Sequence, residues 1–143
     1  MSRSGYVDDD EDKWAYVRWR GAVKSALSGS RGQAFLRELV GALDALPEKK
    51  LSAGVFSKDG CLCALGVVGK SRGLDMSDLD RQSEDDALDP DVVGDRFGLP
   101  PSLVQEVMFV NDEVAWHPKD DEERFRLVRQ WAESNLKDSP AAV

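Results

Sequence analysis

A glycine-bearing run ahead of a Lys-Ser pair is the first stretch of this chain whose residue types could handle a ligand. Ala64-Leu65-Gly66-Val67-Val68-Gly69-Lys70-Ser71 fits the relaxed phosphate-loop pattern, with Ala in place of the first Gly. In such a loop, free backbone N–H groups cradle phosphates, the Lys reaches the terminal ones, and the hydroxyl binds Mg²⁺ at the start of a packed helix. Here Arg72-Gly73-Leu74-Asp75 follows, which ends any helix at once and puts acids where phosphate would sit. The pattern is therefore read as a mimic, and a small-molecule or nucleotide binder using 66–73 stays a minor alternative.

The stretch from Val92 to Val107 has the rhythm of a DNA-reading helix-turn-helix: a short helix, a turn at Gly98, and a second helix from Pro101. A reading helix needs amide or basic side chains toward the groove. This unit offers Arg96 and Gln105 beside Asp89, Asp91, Asp95 and Glu106, so its charge opposes DNA. The better nucleic-acid candidate is the segment 13–46, where Arg18, Arg20, Lys24 and Arg31 would contact phosphates while Trp14 or Trp19 stacks on a base.

Metal and hydrolytic chemistry find less. Cys61-x-Cys63 and the single His117 cannot supply the four ligands of structural zinc, and both cysteines are expected to be buried apolar side chains. Asp75, Ser77, Asp78 and Asp80 resemble the start of a calcium loop, yet counting from Asp78 puts Ser83 and Asp89 where the template requires Gly and Glu. His117 has no nucleophile elbow to serve. The expectation is of no enzyme, no cofactor and no metal.

These residues must be held by helices. Tyr16, Trp19, Val23 and Leu27 form one apolar stripe of a first helix, broken at Ser28-Gly29-Ser30. Phe35, Leu36, Leu39, Val40, Leu43 and Leu46 predict a second from about Gly32 to Leu46, stopped by Pro47. Between Leu51 and Gly73 the signal is mixed. A hairpin turning at Asp59-Gly60 competes with a helix on Cys61, Leu62, Leu65 and Val68, and the helix is preferred. Residues 75–90 read as an acidic connection. A short helix signalled by Val92, Val93 and Phe97 and ending at Gly98, another from Pro101 to Asn111, and a last one from Lys119 to Leu136 complete the chain. The fold class predicted is mostly α: a single small domain of about five helices over 13–137, with or without a short β-hairpin near 51–65, flanked by an acidic lead-in over 1–12 and a frayed tail over 138–143.

Charge gives the clearest functional signal. The net charge of −8 is unevenly spread: residues 13–58 hold nine Lys or Arg against three acids, whereas 75–95 hold nine acids against Arg81 alone. Such polarity steers association with a charged partner. With 41% apolar and 32% charged residues in 143, a buried core is affordable to a single domain. No run approaches the roughly 18 apolar residues of a membrane span, and Met1 to Asp12 carries five acids and no apolar stretch, so no membrane contact and a reducing cytoplasm are expected.

Tyr16-Val17-Arg18-Trp19-Arg20-Gly21, Arg31-Gly32-Gln33-Ala34-Phe35-Leu36-Arg37-Glu38-Leu39, Ala42-Leu43-Asp44-Ala45-Leu46-Pro47-Glu48-Lys49-Lys50-Leu51 and Cys63-Ala64-Leu65-Gly66 together resemble a family of small proteins encoded in phages and prophages. With Phe97-Gly98-Leu99 and Asn111-Asp112-Glu113 the likeness spans most of 14–136. The resemblance carries no catalytic residue across. It implies an accessory protein that binds, in the manner of acidic inhibitors of a host defence machine such as the anti-CRISPR type. The expected partner is a host or defence protein with a basic surface, met by Asp75, Asp78, Asp80, Glu84, Asp85 and Asp86. The basic helices offer the nucleic-acid alternative.

Overall fold

The computed structural model describes residues 13–53, 56–58, 60–84, 89–114 and 121–137. Helix α1 (Lys13–Ser28) and α2 (Ser30–Asp44) are separated by Gly29, which stands in extended backbone as the N-cap of α2. The predicted stripes face inward: Val23 and Leu27 of α1 and Phe35, Leu36, Leu39 and Leu43 of α2 are buried, with Trp19, Val40 and Leu46 packed at the margin. Pro47 stops no turn directly, because α2 already ends at Asp44. The Lys49 ammonium folds back there onto the carbonyls of Asp44 (2.6 Å) and Leu46 (2.7 Å), giving the otherwise unpaired helix end its donors.

Between Leu51 and Gly73 the competing hairpin and helix are both present, in sequence. Strands β1 (Ser57–Lys58) and β2 (Cys61–Leu62) pair antiparallel with Ser57 opposite Leu62 and Lys58 opposite Cys61, leaving a two-residue connection. Helix α3 (Ala64–Ser71) then begins at Cys63, whose Sγ accepts from the Gly66 amide. Gly66 is required by contact: a Cβ there would run into the Phe56 carbonyl, so α3 and the backbone at Phe56, just ahead of β1, approach as closely as backbone allows.

The acidic connection is corrected by the structure. Residues Ser77–Glu84 form a helix, α4, whose Leu79 is buried together with Met76 just ahead of it. Helix α5 (Pro90–Phe97) ends at Gly98, whose φ of 70° makes the left-handed turn into α6 (Pro101–Phe109). A π-helical turn (Val110–Val114) leads on, and α7 (Asp121–Ser134) closes the described chain with Phe125, Val128 and Ala132 inward. The fold is mostly helical and forms one small domain, with seven α-helices among the described residues where about five were expected. Helix α2 packs on α1, α3 and α7, while α6 packs on α1, α3 and α5. These two apolar hubs share one continuous hydrophobic core.

Buried polar residues stitch the elements together. The Asn111 side chain accepts from the Ala64 amide at the start of α3 (3.0 Å) and donates to the Ser52 carbonyl (3.0 Å) and the Asp112 carboxylate (2.8 Å). Arg124 donates to the Asn111 and Leu51 carbonyls and to Asp121. Gln33 donates to Leu27 and Asn135 carbonyls and accepts from the Lys137 amide, fastening the end of α1 to the end of α7. Each group so bonded avoids the penalty of an unsatisfied buried dipole.

Candidate functional site

The acidic region is built on α4 and α5, and its carboxylates divide into those engaged within the protein and those facing outward. Asp75 Oδ1 accepts from the Ser77 amide (3.0 Å), so it caps α4 and lies exposed. Asp78 makes a two-pronged ion pair with Arg96 of α5 at 2.8 Å for each contact, and Arg96 also donates to the Asp75 carbonyl. The Arg96 guanidinium, by hydrogen bonding and by its charge, holds the Asp78 carboxyl down at about 2, well under its ordinary 3.8.

Asp80 goes further inward. It is buried, and its two oxygens accept from the amides of Phe56 (2.6 Å) and Ser57 (2.9 Å), which fastens α4 to β1. A carboxylate committed to two backbone donors is a structural fastener, so the expectation that Asp80 faces a partner gives way to this buried role. Glu84 ends α4, and Asp85 and Asp86 lie outside the described residues. In the sequence the six acids read as one surface, yet Asp75-x-Ser77 followed by Asp78 and Asp80 in the first helical turn is a capping pattern.

On α5 the acids do face outward. Asp89 caps the helix by accepting from the Asp91 amide (2.9 Å), and Asp91 and Asp95 are exposed. Of the three apolar residues that signal this helix, Val92 is 38% exposed, while Val93 and Phe97 supply the buried face. An eight-residue helix has room for one buried stripe, and i, i+4 spacing gives it to Val93 and Phe97. The outer face of α5 is thus a valine set between carboxylates, with the helix's cation, Arg96, turned away onto α4.

The basic candidates lie elsewhere. Arg18 and Lys24 on α1 and Arg31 on α2 are exposed. Arg20 is held by the buried Glu106 (3.0 Å) and lies over the Trp19 ring, so it is part of the α1–α6 contact and is not offered to a phosphate as expected. Trp19 itself packs against the core, and the Trp14 side chain lies outside the described residues.

The phosphate-loop mimic is the whole of helix α3. From Gly66 onward its amides bond to Cys63 or within the helix and its end, and Lys70 lies at the far end from the first turn, so 66–73 offers no cradle of free N–H groups of the kind the nucleotide-binder alternative needs. The helix-turn-helix rhythm is equally deceptive: α6 buries Leu103, Val104, Glu106, Val107 and Met108 and has no exposed reading face. Cys63 is buried as expected, but Cys61 is exposed on β2. Among the described residues no three His, Cys, Asp or Glu gather as a metal site, and no helix is long and apolar enough to cross a membrane. His117 falls outside the described residues.

No protein-family model matches the chain, and no curated protein or solved structure is significantly similar to it.

Proposed function

We propose that this chain is a phage- or prophage-type accessory protein that acts by binding, without catalysing a reaction, and that it engages a host or defence protein with a basic surface. The observation that carries this reading is the outer face of α5, where Asp91, Val92 and Asp95 are exposed while Arg96 is drawn onto Asp78. A desolvated apolar anchor ringed by charge is how protein interfaces divide the work between affinity and specificity. The acids accelerate encounter, and Val92 gives the contact an apolar centre. Asp75 extends the negative potential along the edge of α4. An inhibitor of a defence machine would use such a face to occupy a basic groove.

The test is affinity capture from host lysate with the wild-type chain and with Asp91→Asn/Asp95→Asn, followed by association kinetics on whatever basic protein is retained. The variant should associate more slowly and with a flatter salt dependence. Equal rates and equal salt slopes would overturn the assignment of this face.

A second reading rests on the exposed cations Arg18, Lys24 and Arg31. If they bind nucleic acid, affinity should fall steeply with salt, and removing one cation should reduce that slope by about one. Affinity for DNA and RNA that is the same in Arg18→Ala, Lys24→Ala and Arg31→Ala would eliminate it.

A further inference from the structure

Two large apolar side chains stand exposed among the described residues, and they sit on helices of opposite charge. Val17, 57% exposed, lies on α1 beside exposed Arg18 and two turns before exposed Lys24 on the same face; α1 contains no acid at all. Val92, 38% exposed, lies on α5 between exposed Asp91 and Asp95. Both helices pack their inner faces on α6, so their outer faces are separate surfaces of one rigid framework. Each is an apolar spot framed by a single sign of charge.

We infer that copies of this chain associate with one another, the outer face of α1 in one copy (Val17, Arg18, Lys24) meeting the outer face of α5 in the next (Asp91, Val92, Asp95). Charge selects this pairing over the others. Setting α1 against α1 would oppose cations, and α5 against α5 would oppose carboxylates, both unfavourable. Only α1 against α5 places unlike charges around two valines that then lose water together. Because the joined surfaces differ, the contact is heterologous, and it either closes into a ring or continues as a chain of copies. A foreign basic partner would compete for α5, but the inference itself concerns the purified chain alone and stands or falls independently of that partner.

Sedimentation velocity of the full chain over a range of concentrations, at low and at moderate salt, tests it. The sedimentation coefficient should rise with concentration at low salt, and the rise should shrink as salt shortens the screening length from about 30 Å to about 8 Å. Two charge reversals, Asp91→Lys/Asp95→Lys and Arg18→Glu/Lys24→Glu, should each weaken self-association by about tenfold or more when studied alone. Mixed together, they should associate again, since the first presents two basic faces and the second two acidic ones. Each reversed residue moves the net charge of −8 by two, so the variants carry −4 and −12. Both remain anionic, and overall attraction cannot mimic the recovery. Val92→Ser should weaken wild-type association while leaving its salt dependence unchanged. Circular dichroism and melting checks that the variants fold; where a reversal does not, the neutral pair Asp91→Asn/Asp95→Asn takes its place and must also weaken association. A wild-type chain that stays monomeric throughout, reversals that associate as the wild type does, or a mixture that fails to recover would each overturn the inference.

Discussion

The α2–α3 pair and the α4–α5 corner are held by different physics. Helix α2 contributes four fully buried apolar side chains, and every residue of α3 from Ala64 to Gly69 is buried, so their association rests on apolar burial and close packing. Among the described side chains of α4, Leu79 is the buried apolar one, with Met76 buried just ahead of the helix, and α4 is fixed by Asp80 on two backbone amides and by Asp78 on Arg96. The contrast shows that an acidic segment can be an architectural element when its carboxylates find donors inside the protein. On α5, by contrast, Asp91 and Asp95 stand exposed on the outer face.

The comparison breaks most easily in the apolar half. Leu39 is fully buried, and Leu39→Ala should lower stability by about 2–5 kcal/mol through lost transfer energy and the cavity left behind. Urea unfolding followed by circular dichroism measures this, and a loss near zero would mean that the α2 stripe is not the core.

Asp80→Ala comes next. It strands the buried Phe56 amide and the partly buried Ser57 amide, for an expected loss of about 2–3 kcal/mol. The distinctive readout is local: hydrogen exchange at the Phe56 and Ser57 amides should speed up while the α2 amides stay protected under native conditions. Uniform acceleration across the domain would mean that α4 is no separate fastening.

The Arg96–Asp78 pair sharpens the contrast at smaller scale. Its partners are partly exposed, with side chains 29% and 38% accessible, so solvent screening keeps the contribution under about 1 kcal/mol at neutral pH. The sign follows from linkage. Asp78 titrates at about 2 in the folded protein against an ordinary 3.8, so its contribution is fully present above about pH 4 and is lost as pH falls toward 2. Glu38, held down by its hydrogen bonds to Arg72, and Asp44, by those to Arg129, act in the same direction. Melting temperature should therefore drop across this acid range, and Arg96→Gln should make the drop shallower. A variant with the wild-type acid profile would sever the link. The smallest effect is expected at Asp91→Asn and Asp95→Asn, whose exposed positions should leave stability within about 0.5 kcal/mol, which is what makes them clean probes of binding.

The sequence by itself determined where most helices lie. The stripes of α1, α2, α6 and α7 repeat at helical spacing because each must turn one apolar face to a common core, and that requirement is written locally in every turn. Charge polarity was equally legible, being a sum over residues. Tertiary structure alone decided what individual polar residues do. Asp80 reaches amides 23 and 24 positions away, Asn111 joins Ser52 and Ala64, and Gln33 ties α1 to the end of α7 across 102 residues. A carboxylate or amide carries no local mark of whether its partner is water or a distant backbone group. The same reason explains α4, whose single apolar residue Leu79 and carboxylate anchors Asp78 and Asp80 do not make a visible stripe. It also explains the loop mimic at 64–71, where Gly66 serves close packing against Phe56 and not a phosphate: burial of those amides depends on neighbours that only the folded chain brings near.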